Sequence, residues 1–183
     1  MINTNLSNLN SDITTTSDNL NTEITNRSNA DSTLQTQIDS LSGNFLISNG
    51  ILYIKNTTKG KYLANPISLS YSKIGSTKNT YLYIDEVPSS VNGYKLNSTY
   101  TLTGISFSNE NTVADSTIII SKNDNNEVIA SIELSSDRFK TDNTLNVDID
   151  TDDYIKVYIE YGSSLEAVNP IVILYFSQYG GTI

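Results

Sequence analysis

The sequence predicts a mainly β protein in which an N-terminal trimeric coiled-coil helix precedes a β-sandwich or jelly-roll domain. Leu and Ile recur at alternating spacings of three and four over the first 44 residues, as on the seam of a coiled coil. From Phe45 onward, short runs rich in Tyr, Ile, Val and Thr alternate with turn residues, as in all-β folds. The composition changes near residue 44, so we predict a stalk or anchor over 1–44 and a head domain over 45–183.

The predicted seam follows one side of the N-terminal segment. Its spacing alternates between four and three up to Leu20, takes a second consecutive four to Ile24, and then resumes the alternation. The doubled four is a stutter, which locally changes the winding of a coiled coil. Because Ile and Leu occupy both kinds of seam position, the pattern favours three strands over two. The seam residues are Leu6, Leu9, Ile13, Leu20, Ile24, Arg27, Asp31, Leu34, Ile38, Leu41 and Phe45.

Polar residues dominate the rest of this segment. Asn, Thr, Ser, Asp and Gln are mediocre helix formers, so an isolated helix of this sequence should not persist in water. Arg27 and Asp31 lie on the seam itself, where they can fix the register and pair between chains. The polar composition also fits a disordered leader, but the unbroken spacing favours the coiled coil. Gly43-Asn44 is a suitable helix stop.

The second part of the chain reads as a series of short strands. Alternating apolar residues indicate half-buried strands, and Asn-, Asp- and Ser-rich turns separate them. About 139 residues suffice for one hydrophobic core. The predicted strands are 45–54, 67–71, 81–84, 99–107, 116–121, 127–134, 143–149, 153–161 and 170–176.

Composition excludes many kinds of chemistry. The 183-residue chain contains neither Cys nor His and carries a formal net charge of −9. Without these residues there is no thiolate nucleophile and no imidazole base or metal ligand. The acidic balance argues against nucleic acid and against an anionic membrane surface. No apolar run approaches the roughly 20 residues of a membrane span. We therefore expect a protein that is not an enzyme, does not bind nucleic acid and does not insert into a membrane.

An acidic run is the candidate metal site. Asp148, Asp150 and Asp152 recur at every second residue, which places three carboxylates on one face of a continuing strand. Such oxygen ligands suit Ca²⁺. A solvent-facing strand that ends in a polar turn explains the same residues, and the absence of a Gly-bearing calcium loop favours that explanation. We expect no cofactor, with calcium as the alternative.

Aromatic side chains offer a candidate glycan site. Tyr161, Tyr175 and Tyr179 lie near the C-terminal end, and aromatic faces stack on sugar rings. Tyr also packs well on half-exposed sheets and at subunit interfaces, and this explanation is favoured for any single Tyr. Glycoside cleavage requires a pair of carboxylates, and Asp85 and Glu86 are adjacent in sequence. On a strand, however, neighbouring residues point to opposite faces, so we expect this pair not to act together.

A group of lysines makes residues 45–96 locally basic. The group faces either an acidic partner, including the acidic second half of a neighbouring subunit, or solvent, where lysines protect sheet edges. The sequence leaves both alternatives open. The lysines are Lys55, Lys59, Lys61, Lys73, Lys78 and Lys95.

Residues 20–41 resemble coiled-coil segments of trimeric bacteriophage fibres. The shared pattern is E-x3-R-x2-A-D-x2-L-Q-x2-I-D-x-L, which begins here at Glu23 and ends at Leu41. Residues 152–158 and 170–176 resemble the last strands of small sandwich domains on phage head and tail fibres.

This resemblance implies a homotrimeric structural or adhesive fibre of a bacteriophage virion, made in the host cytoplasm. Its N-terminus would dock on capsid or tail proteins, and its β domain would project outward and bind a host-surface glycan. The chain is short for a tail fibre and fits a head fibre or capsid decoration protein better. The alternative is a bacterial surface adhesin or carbohydrate-binding module with an oligomerising stalk.

Overall fold

The computed structural model describes residues 2–91, 93–123, 125–162 and 166–183. The chain divides into two compact units, Met1–Leu46 and Ile47–Ile183. The first unit contains the whole N-terminal helix, and the second contains the β core.

Helix α1 spans Ile2–Ser42, 41 residues, and none of its residues is buried. At about 1.5 Å per residue it is about 60 Å long. Several Thr hydroxyls donate to the carbonyl four residues earlier, as Thr22 Oγ1 does to Asp18 O at 2.9 Å. These bonds satisfy the hydroxyls inside the helix instead of letting them compete with its backbone. The helix ends where the Gly43 amide donates to Asp39 O at 3.1 Å, next to the Gly43-Asn44 stop.

Fourteen strands follow in the described part of the chain. They range from two residues to 23 residues in length. Their bounds are β1 Phe45–Ser48, β2 Ile51–Asn56, β3 Lys61–Ser72, β4 Ser76–Thr77, β5 Thr80–Tyr81, β6 Tyr83–Ile84, β7 Val87–Pro88, β8 Tyr94–Lys95, β9 Tyr100–Lys122, β10 Glu127–Asp142, β11 Val147–Ile149, β12 Tyr154–Tyr161, β13 Ala167–Val168 and β14 Ile171–Thr182.

One long strand organises the large antiparallel sheet. The 23-residue β9 pairs along one edge with β14 through its first half, from Tyr100 to Ser108. Through its second half, from Ser116 to Lys122, the same edge pairs with β12. Strand β10 follows the opposite edge through both halves, with register shifts between Leu134 and Phe139. These shifts are β-bulges, which bend a sheet, so the sheet curls along β9.

The core lies inside this curl. Phe107, Phe176 and Tyr71 are among its largest fully enclosed side chains, and they form one cluster with Ile120 and Val157 from the other half of the sheet. The buried Tyr71 hydroxyl on β3 donates to the Ile155 carbonyl on β12 at 3.3 Å. This contact joins strands that do not pair with each other, and it shows that the two halves face one another across the core.

The prediction of a mainly β chain with an N-terminal helix is confirmed. The architecture differs from the prediction in one respect. We predicted a β-sandwich or jelly roll, in which two sheets pack face to face. In the structure, one curled sheet forms both layers around the core. The predicted strands 99–107 and 116–121 are both parts of β9. The polar residues between them predicted a loop. Asn109 instead lies within β9, and its Nδ2 donates to Asn111 O at 2.7 Å.

The abundance of Asn has a structural role in this fold. Most of the described non-glycine residues with positive φ are Asn or Asp, the residue types that best tolerate the left-handed region. They include Asn49, Asn65, Asn79, Asn123, Asn126 and Asn169. The exceptions are Ser136 and Glu86, with φ of 75° and 66°.

Candidate functional site

The seam residues form an exposed apolar stripe along α1, which we call the helix stripe. Its apolar members on the helix are Leu6, Leu9, Ile13, Leu20, Ile24, Leu34, Ile38 and Leu41, and each is more than half exposed. An α-helix aligns residues three and four apart on one face, so these side chains form one continuous strip. The last predicted seam residue, Phe45, lies on β1 beyond the helix end and is 45 % exposed.

The two polar seam residues interrupt the helix stripe near its middle. Arg27 Nε donates to Glu23 Oε1 at 2.8 Å on the same helix, and both side chains are largely exposed. Such a pair contributes only about 0.3–0.5 kcal/mol to the helix. Asp31 is exposed one turn further along. The predicted Arg27–Asp31 pairing between chains therefore stays a prediction, and in the single chain Arg27 pairs with Glu23.

The structure does not bring the three candidate glycan tyrosines together. Tyr161 lies on β12 opposite Ser116, whereas Tyr175 lies on β14 opposite Gly104 in the other half of the sheet. Tyr161 is 8 % exposed. Desolvation raises its pKa to about 12, and a backbone contact with Ala167 opposes part of this shift. Its enclosed ring offers no face to a sugar.

The other two tyrosines are more accessible. The Tyr175 hydroxyl and Ser106 Oγ lie 3.2 Å apart. The Tyr179 hydroxyl lies 3.3 Å from Thr182 Oγ1. The Lys61 ammonium lies 5.4 Å from the Tyr179 ring centroid, so this ring takes part in a cation–π contact.

The three candidate calcium ligands have separate environments. The Asp148 carboxylate accepts hydrogen bonds from Lys61 Nζ at 2.5 Å and from Thr101 Oγ1 at 2.7 Å. Asp150 and Asp152 are exposed in the turn that follows β11. In the described ranges, no group of three or more His, Cys, Asp or Glu is arranged to hold a metal ion.

Some lysines of the basic segment contact the acidic second half of the same chain. Lys61 pairs with Asp148 although its own side chain is only 10 % exposed. Lys59 Nζ donates to the carbonyl of Asn143 at 2.9 Å and to that of Leu145. The basic segment and the acidic second half, whose opposite charges suggested contact with a partner, therefore contact each other in part within one chain.

Sequence reasoning missed the most strongly bonded carboxylate, Asp153. It accepts hydrogen bonds from Asn123 Nδ2 at 2.6 Å, Lys122 Nζ at 3.2 Å and the Asp150 amide at 3.1 Å. Burial by itself raises the pKa of Asp153, but these bonds outweigh it and hold the pKa below its usual value. The hydrogen bond to Asp153 is also the main reason that the pKa of Lys122 is raised. In sequence, Asp153 looked like one more member of the acidic run.

A surface cavity of about 400 Å³ lies beside the end of β3, and we call it the hairpin cavity. Its lining includes Lys73, Tyr83, Asp85 and Glu86. We expected Asp85 and Glu86 to point apart as strand neighbours. That expectation was wrong, because the two residues form the loop between β6 and β7 and line the same cavity.

No protein-family model matches the sequence, and no curated protein matches it either. Among solved structures, the crystal structure of FLHE shares 14 % identity at a TM-score of 0.36, with 62 % of this chain and 98 % of that chain covered. The Tobacco streak virus coat protein dimer shares 12 % identity at a TM-score of 0.29, with 65 % and 89 % covered.

The structure of infectious bursal disease virus Gx strain shares 10 % identity at a TM-score of 0.28, with 74 % of this chain and 36 % of that chain covered. All three TM-scores lie below 0.5, so these similarities carry no functional argument. No helix in the described residues has both the length and the apolarity of a membrane-crossing segment.

Proposed function

We propose that the chain is a homotrimeric, non-catalytic structural protein of a bacteriophage particle, with α1 as its assembly stalk. One observation carries the proposal. A 41-residue helix buries none of its own residues, and all of its seam Leu and Ile side chains are more than half exposed. A helix of this composition gains its stability from burying such a stripe, and further copies of the same helix match it residue by residue.

The energetics favour assembly. Full burial of a Leu or Ile side chain contributes about 1.5–3 kcal/mol. The eight apolar side chains of the helix stripe retain more than half of their exposure, so each stands to gain about 1–1.5 kcal/mol on assembly. This gain offsets the poor helix propensity of the surrounding Asn, Ser and Thr residues. Ile and Leu at both kinds of seam position favour three helices.

The assignment to a virion rests on the resemblance of residues 20–41 to phage-fibre coiled coils. In this proposal the N-terminal end of α1 docks on a capsid or tail protein, and the β unit projects outward as the adhesive part that meets a host-surface glycan. A chain without Cys or His suits a structural role better than a catalytic one. The alternative remains a bacterial surface adhesin or carbohydrate-binding module with the same stalk.

Two measurements test the proposal. Light scattering of the purified full chain should give a mass of about three times 20.1 kDa. A monomeric mass at all concentrations would refute the stalk assignment. Gold-labelled antibodies against the β unit should then decorate purified phage particles. Labelling of bacterial cell surfaces in a phage-free culture would instead support the adhesin.

A further inference from the structure

The loop at the hairpin cavity is built from unexpected residues. Ile84 pairs with Val87 across β6 and β7, so Asp85 and Glu86 are the two central residues of a tight hairpin loop. Both have positive φ, 48° and 66°, as a type I′ turn requires. Asn-Gly is the sequence that favours this turn, and the chain uses Asn49-Gly50 with φ of 49° and 76° elsewhere. Glu in the left-handed region carries a steric cost.

Residues held in unfavourable backbone conformations cluster at active sites and ligand-binding sites. At this hairpin the departure places two carboxylates on one cavity. Within the described ranges, neither Asp85 nor Glu86 forms an ion pair, although the Lys73 ammonium lines the same cavity. The strain of the loop therefore brings no ion-pair stabilisation to the fold. The loop does place two carboxylates, which are hydrogen-bond acceptors, beside the hairpin cavity.

The other lining groups complete a mixed polar and apolar surface. Lys73 Nζ lies 5.7 Å from the centroid of the Tyr83 ring, so an ammonium group and an aromatic ring lie side by side in the lining. Tyr83 pairs with Ser72 on β3, so strand pairing holds the backbone that carries this lining residue. Ile74 also lines the cavity and is 93 % exposed, an unusually high exposure for a large apolar side chain.

We propose that the hairpin cavity binds one sugar unit of a neutral glycan. Neighbouring ring hydroxyls donate to the Asp85 and Glu86 carboxylates, the Lys73 ammonium donates to a further oxygen, and the C–H face of the sugar packs on Tyr83. Charged acceptors of this kind form strong hydrogen bonds with hydroxyls. The two negative charges disfavour an acidic sugar or a phosphate, and Lys73 disfavours a metal ion. A volume of about 400 Å³ accommodates one sugar ring.

This inference rests on the outward-facing adhesive role proposed above, and its test separates the two. Saturation-transfer NMR on the full chain uses the methyl glycosides of glucose, galactose, N-acetylglucosamine and rhamnose as probes. We expect at least one probe to bind, and the variant Asp85→Asn/Glu86→Gly to bind it at least about tenfold more weakly. This variant installs the preferred turn sequence, so its thermal midpoint should stay equal or rise.

A charge-matched control, Asp152→Asn/Glu160→Gln, removes two exposed carboxylates elsewhere and should bind as the unsubstituted chain does. Tyr83→Leu keeps an apolar side chain in β6 but removes the ring, and it should also lose binding. No saturation transfer with any probe, or unchanged binding by the Asn-Gly variant, would overturn the inference. Light scattering on the same samples measures the oligomeric state independently of sugar binding. A trimer that binds no probe would refute only the sugar site. A monomer that binds a probe would refute only the assembly of the stalk.

Discussion

The double substitution Leu34→Ala/Ile38→Ala tests the helix stripe most directly. These side chains are 56 % and 57 % exposed in the single chain, so burial in a trimer would contribute about 1–1.5 kcal/mol for each. Six such side chains in a trimer give about 6–9 kcal/mol, of which alanine keeps a part through its β carbon and its higher helix propensity. We expect a net loss of about 5 kcal/mol per trimer.

This loss is measurable as a shift in the monomer–trimer equilibrium. The midpoint concentration of a trimer scales with the square root of its dissociation constant, so about 5 kcal/mol raises that midpoint roughly 70-fold. Sedimentation equilibrium over a concentration series measures the midpoint, and circular dichroism follows the helix content. In the variant, helix content should fall together with the trimer, because the polar helix depends on its partners.

A matched control removes two side chains from the opposite face of the same turns. Asn29→Ala/Ser32→Ala replaces poorer helix formers with a better one, so its midpoint should stay within a few-fold of the unsubstituted chain. Equal midpoints for the seam variant and the unsubstituted chain would refute the reasoning. A larger shift in the control than in the seam variant would also refute it, because the contact face would then lie elsewhere.

Three further predictions concern the β unit. Asp153→Asn should lower the free energy of unfolding by about 2 kcal/mol at pH 7 in urea titrations, because it removes charge-assisted hydrogen bonds. The folded pKa of Asp153 is lowered, so this contribution to stability is present above about pH 4 and is lost as the pH falls through the folded pKa. A difference in unfolding free energy between Asp153→Asn and the unsubstituted chain that stays constant down to about pH 2 would contradict this reasoning. Phe107→Ala, at a core position 2 % exposed, should cost about 3–5 kcal/mol, and a cost below 1 kcal/mol would contradict the core assignment. Gly180→Ala should lower the thermal midpoint, because the added Cβ would lie 2.4 Å from the Tyr53 ring, and an unchanged midpoint would show that the ring shifts freely.

The helix was predictable because its signal is local. The spacing of three and four places Leu34, Ile38 and Leu41 on one face in any α-helix, and Gly43-Asn44, which are poor helix formers, follow its last turn. The alternation of apolar residues likewise identified most longer strands. These inferences need only neighbours along the chain.

The continuity of β9 was not predictable in this way. The residues from Asn109 to Thr112 read as a turn, because Asn favours turns. In the fold, Asn109 bonds to Asn111, and the Asn111 side chain bonds to the carbonyl of Glu166 at 2.8 Å. Contacts with a segment about fifty residues away thus override the local preference and keep the bent strand whole.

The candidate sites were also not predictable from local sequence, because contacts between distant residues determine them. Asp148 was a candidate calcium ligand because Asp150 and Asp152 recur beside it in sequence, although a solvent-facing strand and turn was the favoured explanation. Its actual partner is Lys61, 87 residues earlier. Tyr161 was a candidate glycan residue because of its aromatic ring, but the fold places it in the core cluster.

The sequence by itself determined the long helix with its exposed stripe, the mainly β character of the remainder and the absence of thiol and imidazole chemistry. These properties follow from composition and from short-range periodicity. The tertiary structure alone decided that one sheet curls around the core, that Asp153 is held by three donors, and that Asp85 and Glu86 meet in one cavity. Each of these depends on strand register and chain reversal, which bring together residues that no local pattern relates.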